Sequence, residues 1–128
     1  MGDLSKDFSR SEFVCKCSCG AFAMKDGLIA KLQELRDLVK VPIIVTSGTR
    51  CNAHNREVGG VDTSDHLDGL AADIRCKDMY LLLRAALKLF NRVGIGPQMS
   101  FIHVDIATVN RKQNCYWTYG TNNKRIVT

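Results

Sequence analysis

At 128 residues, 45% hydrophobic and 24% charged, the chain has the size and balance of one globular domain and lacks the charge excess or biased tracts of a disordered one. Its 18 Lys and Arg against 13 Asp and Glu leave a net charge of +5, a surface suited to polyanions; the positives are scattered, with no basic arm or reading helix, which argues against a nucleic-acid partner. No apolar run approaches the ~18 residues of a membrane span, and the opening Met-Gly-Asp-Leu-Ser-Lys-Asp-Phe lacks the apolar core of a secretory signal, so we expect a chain made in the cytoplasm, without membrane insertion and monomeric.

In chain order, Ser9 followed three residues later by Glu12 is a capping-box signature for a short helix. Leu28, Ile29, Leu32, Leu35, Leu38 and Val39 recur at helical spacing and predict a helix from Asp26 to Lys40. After Pro42 the β-branched run Ile43-Ile44-Val45-Thr46 predicts a buried strand. Residues 52 to 58 suit one or two helical turns ended by Gly59-Gly60, and Gly69 to Ile74 suits a turn entering a short strand. Asp78 caps a predicted helix of Met79 to Val93, with Leu82, Leu83, Ala86, Leu87 and Phe90 as its apolar stripe and Gly94-Ile95-Gly96-Pro97 as its stop. Phe101 to Ile106 alternates with period two, which puts His103 and Asp105 on one face of a strand. The tail, with Tyr116, Trp117 and Tyr119, is expected to be a final strand or a packed loop in which the aromatics serve packing. The order of elements fits a single α+β domain over residues 1–128, with a small, mostly antiparallel sheet and flanking helices.

The six cysteines are Cys15, Cys17, Cys19, Cys51, Cys76 and Cys115. Cys15-x-Cys17-x-Cys19 suggests a metal knuckle at first sight, but structural zinc sites usually pair cysteines two to four residues apart and add a second such pair. Reduced thiols are therefore the expected state in a chain without an export signal, ahead of disulfides or a metal.

Of the three histidines, His66 lies seven residues before Asp73, with Gly69 and two alanines between them, and His103 lies 30 residues beyond Asp73 on a strand able to pair with its own. Two imidazoles and a carboxylate with one open position is the donor set of a catalytic zinc. Spacing alone leaves chance placement open. His54 has no such partner spacing and reads as a structural residue of its helix, with substrate contact as the alternative.

Read as Ser-x-His-x-x-Gly-x-Ala-x-Asp from Ser64 to Asp73, followed by Phe101-Ile102-His103-Val104-Asp105, these segments resemble the zinc motif of the D-alanyl-D-alanine carboxypeptidase family of metallopeptidases. Upstream, Ser47-Gly48-Thr49-Arg50, His54-Asn55-Arg56 and Gly59-Gly60 are similar to further family segments, as is the opening from Phe8 to Phe13 with its cysteine-rich turn. The resemblance implies a hedgehog/D,D-peptidase-like fold and one zinc held by His66, Asp73 and His103. Arg50 would meet a carboxylate or carbonyl oxygen of the substrate, and Ser64 would make a second polar contact. The implied reaction is hydrolysis of a peptide bond beside a D-amino acid in peptidoglycan stem peptides, by a D,D-carboxypeptidase or a murein endopeptidase of the endolysin kind. Such an enzyme would act on the wall after release or as a virion component.

Two departures bear on this. Thr49 and Cys51 stand where the family often has aromatic and small hydroxylic residues, which blurs substrate preference. Several relatives carry an acidic general base about three residues before the last zinc histidine, and this chain has Ser100 there. Asp105 is the nearest substitute, as a base or as the acceptor that orients a ligating histidine, the latter being favoured; Asp65 and Asp68 are outside candidates. The alternative reading is a non-hydrolytic zinc-binding wall or virion module of the same fold.

Overall fold

The computed structural model describes residues 2–17, 19–59, 64–120 and 125–127, the last three by their backbone. Gly60 lies outside the described residues. A 3-10 turn, Arg10–Glu12, opens the fold, with the Ser9 N–H donating to Glu12 Oε2 at 2.7 Å. There follow α1 (Asp26–Val39), β1 (Ile44–Ser47), α2 (Asn52–Glu57), β2 (Ala71–Arg75), α3 (Met79–Leu89), β3 (Arg92–Ile95), a second 3-10 turn (Pro97–Met99), β4 (Ile102–Asp105), β5 (Cys115–Tyr119) and β6 (Arg125–Val127). The strands form a six-stranded sheet in the order β1-β2-β4-β3-β5-β6. It is antiparallel except where β3 runs parallel to β5, so the α+β architecture expected from the sequence is the one observed.

The period-two alternation of strands divides the sheet between a core and a site. Val45, Ala72, Ile74, Val93, Ile102 and Val104 share one core with Leu28, Leu32 and Leu35 of α1 and with Leu82, Ala86 and Phe90 of α3. The intervening positions register straight across the sheet: Asp73 opposes His103, His103 opposes Gly94, and Gly94 opposes Trp117. One row along, Ala71 opposes Asp105 and Asp105 opposes Arg92. The polar residues thus lie in two rows on the face turned away from α1 and α3.

Several expectations need correction. The helix predicted to run to Val93 ends at Leu89, because Arg92–Ile95 is taken up as an inner strand between β4 and β5. Ladder hydrogen bonds on both edges outweigh the local apolar pattern that continued the helix. The run predicted as a buried strand is instead an edge strand, with Ile44 50% exposed and Val45 covered. Leu38 and Leu87, assigned to helical core stripes, are both exposed.

Gly94 shows what the inner strand demands. A Cβ there would stand 2.6 Å from Trp117 Nε1 and 2.7 Å from Cε2, so glycine is what lets the buried indole lie flat across β3. Gly94→Ala is expected to cost ~1–3 kcal/mol through overpacking, read as a lowered urea midpoint at unchanged m-value; an unchanged midpoint contradicts the packing described.

Candidate metal centre

His103 and Asp73 arrive from neighbouring strands in register, and His66 arrives from the turn before β2. That turn coils through Leu67 N–H to Ser64 O and Asp68 N–H to Asp65 O, at 3.1 and 3.3 Å. Gly69 closes it at φ +71°, where a side chain would collide with the Ala23 carbonyl. An ion pair from Arg111 Nη2 to Asp65 Oδ1, 3.0 Å, holds the residue next to His66. The result is convergence: His66 Nε2 lies 3.3 Å from Asp73 Oδ1, and His103 Nδ1 lies 2.9 Å from the same oxygen. All three side chains are buried.

The outward-facing nitrogen of each imidazole is also engaged. His66 Nδ1 is 2.8 Å from the Gly48 carbonyl; a carbonyl only accepts, so Nδ1 carries a proton and donates it there, and Nε2 is the nitrogen that faces Asp73. His103 Nε2 donates to Asp105 Oδ2 at 2.8 Å, leaving Nδ1 to face Asp73. Asp105 is anchored in turn by Arg92, whose Nε donates to Oδ1 at 2.6 Å and whose Nη1 donates to Lys112 O at 2.7 Å. The guanidinium carbon sits 5.1 Å from the Trp117 ring centroid, a cation over the indole on the same face of the sheet.

These contacts shift the titration of the buried groups. Burial disfavours the Asp73 anion, but the charge on His66 and hydrogen bonds from both histidines hold it far below the usual carboxylate range. Burial likewise opposes the Asp105 anion, and His103 with Arg92 brings it down. Burial would lower His103; hydrogen bonds to Asp105 and Asp73 overcome it and push the imidazole up to about 10. Without a metal, the centre thus holds a cationic histidine between two carboxylates.

Arg50 lies at the rim, its side chain 14% exposed, with Nη2 3.3 Å from Asp73 Oδ2. Its Nε donates to Ser47 Oγ at 3.1 Å and its Nη1 to Asn55 Oδ1 at 3.2 Å. Ser64 is half-buried, its hydroxyl 3.3 Å from the His66 N–H that donates to it. Asp105 stands behind His103, on the ring nitrogen away from Asp73. Ser100 ends the second 3-10 turn and is exposed, Asp68 is exposed, and His54 sits on α2 with Nδ1 3.8 Å from Glu57. Sequence reasoning missed Arg92, Asn55, the Gly48 carbonyl and the closeness of Trp117 to His103, 5.4 Å between ring centroids. Arg92 was hidden inside a predicted helix. The Gly48 carbonyl carries no side-chain signal at all.

Two imidazoles and a carboxylate converge on one face of an α+β sheet, each imidazole oriented through its other nitrogen, and the three could hold a metal ion. Residues 6–105 match the family Peptidase M15, and the chain belongs to that family, of the zinc D-alanyl-D-alanine carboxypeptidase type. A search of the curated proteins returns no significant match. The residues present fit such an ion. Their ligand atoms lie within 4.8 Å of one another, and donors about 2.0–2.1 Å from a tetrahedral zinc stand about 3.3 Å apart, close to the 2.9 and 3.3 Å found.

Arg92→Leu tests the support beneath the centre. It removes the guanidinium from a buried carboxylate whose remaining partners are His103 and the Ala107 N–H, and a loss of ~3–5 kcal/mol in chemical unfolding is expected. Arg92→Lys should recover only part, since an ammonium cannot span both Asp105 and the Lys112 carbonyl; a loss below ~1 kcal/mol in the leucine variant contradicts the pairing.

Proposed function

We propose that the protein is a zinc metallopeptidase that hydrolyses a peptide bond beside a D-amino acid in bacterial peptidoglycan, as a D,D-carboxypeptidase or a crosslink-cutting endopeptidase. The observation that carries the reading is the paired orientation of the two histidines, which turns His66 Nε2 and His103 Nδ1 toward Asp73 Oδ1. These three would hold the ion. A bound zinc supplies Lewis-acid chemistry, polarising a carbonyl and lowering the pKa of water towards ~7.

The chain's own residues would do the rest. Arg50, held by Ser47 and Asn55, keeps Asp73 Oδ2 occupied so that Oδ1 faces the histidines. Its remaining N–H groups suit a substrate carboxylate or carbonyl oxygen. Ser64, at the head of the His66 turn, is a second polar contact. Asp105 holds the proton on His103 Nε2, which keeps Nδ1 available as a donor atom. The basic surface favours an anionic wall.

The second reading, a zinc-binding wall module without hydrolysis, rests on two observations. Position 100 is a serine, and both oxygens of Asp105 are committed to Arg92 and His103. Mass analysis of defined peptidoglycan fragments separates the readings. A peptidase yields products whose formation stops with chelator and with His66→Ala; unchanged fragments from zinc-loaded protein that still sediments with the wall favour the binder. Asp105→Asn is expected to lower zinc affinity and activity by ~10–100-fold.

Protonation gives a further expectation. His103 is raised to about 10 in the metal-free protein, so near pH 7 it carries a proton that the metal must displace from Nδ1. Each zinc bound should release about one proton from this residue, and apparent affinity should fall roughly tenfold per pH unit as pH drops. Calorimetry in buffers of different ionisation enthalpy measures this; an affinity flat between about pH 6 and 8 contradicts it.

A further inference from the structure

A second group of ligating side chains lies where the N-terminal region meets α2. Cys15, Cys17 and Cys19 come from the turns after the first 3-10 turn, and Cys51 is the N-cap of α2. Their four sulfurs lie within 4.8 Å of one another. Cys15 Sγ is 3.4 Å from Cys17 Sγ and 3.8 Å from Cys51 Sγ, and Cys17 Sγ is 3.5 Å from Cys51 Sγ.

These separations suit a shared ion. Four thiolates about 2.3 Å from a tetrahedral zinc stand about 3.8 Å apart. Disulfide pairing would draw two sulfurs to about 2.05 Å, whereas all six cysteines here are free thiols. Two backbone donors already point at the sulfurs: the Cys51 N–H at Cys15 Sγ and the His54 N–H at Cys51 Sγ, both at 3.4 Å. Such donors favour thiolate over thiol and orient it. Spacing argued against a metal because the Cys15-x-Cys17-x-Cys19 run has no second pair. The fold answers that objection by supplying a single fourth sulfur, 32 residues beyond Cys19.

We propose that Cys15, Cys17, Cys19 and Cys51 bind a structural zinc ion, separate from the centre at His66, Asp73 and His103. Four protein ligands close the coordination shell, so this ion has no position for substrate. Soft thiolates select zinc over magnesium or calcium. Its place in the fold gives it a role. Cys51 follows Arg50, and α2, which it caps, carries the Asn55 that holds Arg50 Nη1. A zinc here ties the N-terminal turns to the start of α2 and fixes the backbone from which Arg50 reaches Asp73.

The test uses the full chain purified under reductant and reconstituted with cobalt(II) in place of zinc. Tetrathiolate coordination gives an intense sulfur-to-cobalt charge-transfer absorption in the near ultraviolet, which a histidine and carboxylate site does not. The band should appear in the wild type, persist in His66→Ala, and vanish in Cys17→Ser/Cys51→Ser. Thiol counting on the wild type needs no variant to fold: with zinc bound, Cys76 and Cys115 should react at once with a thiol reagent and the other four of the six only after a chelator is added. Six thiols reacting together, with no charge-transfer band from the folded, reduced chain, overturns the proposal and leaves the histidine centre untouched.

Discussion

Burying a carboxylate costs several kcal/mol unless charge and hydrogen bonds replace the lost water, and this domain buries two of them around one imidazole. Asp73 and Asp105 occupy the two ring nitrogens of His103 at 2.9 and 2.8 Å. Each then needs its own cation: Arg50 for Asp73 and Arg92 for Asp105. The line Arg92-Asp105-His103-Asp73-Arg50 alternates in charge across this face of the sheet to the rim. In the proposed zinc-bound state one link, the proton between His103 and Asp73, would give way to the ion while Arg50 and Arg92 keep their carboxylates.

The sheet makes this affordable. Because side chains alternate, the same short strands that feed Ala72, Ile74, Ile102 and Val104 to the apolar core present Asp73, His103 and Asp105 on the opposite face. A one-residue slip between β2 and β4 would exchange core for site. At the start of β2 the turn carrying His66 is clamped by Gly69 against Ala23 and by Arg111 against Asp65, and on β3 Gly94 leaves room for the Trp117 and Tyr119 rings beside it. The geometry of the histidine site and the packing of the core are one constraint here.

That alternation was readable from the chain, and so was much of what depends on it. Period two placed His103 and Asp105 together, apolar residues at helical spacing marked α1, and Asp78 capped α3, its carboxylate taking the Leu81 N–H at 3.1 Å. The family segments pointed to His66 and Asp73 through a resemblance, and the fold brings both to His103. What escaped depends on partners distant in sequence. β3 has no local signal that distinguishes it from the end of a helix, so Arg92, the cation under Asp105, was invisible. The Gly48 carbonyl that orients His66 is backbone, and backbone acceptors leave no mark in a sequence. Cys51 lies 32 residues from Cys19, and only the fold brings its sulfur beside the N-terminal cysteines.

In the proposed zinc-bound state, Gly48 and Asp105 would hold the two histidines in opposite tautomers, so that one offers Nε2 and the other Nδ1 to the same ion. Long-range nitrogen-15 correlation spectra of the imidazoles in the zinc-loaded chain test this directly. His66 is expected to be protonated at Nδ1 with the metal at Nε2, and His103 protonated at Nε2 with the metal at Nδ1. Two histidines in the same tautomer, or a His103 still protonated at both nitrogens with zinc in excess, would contradict it.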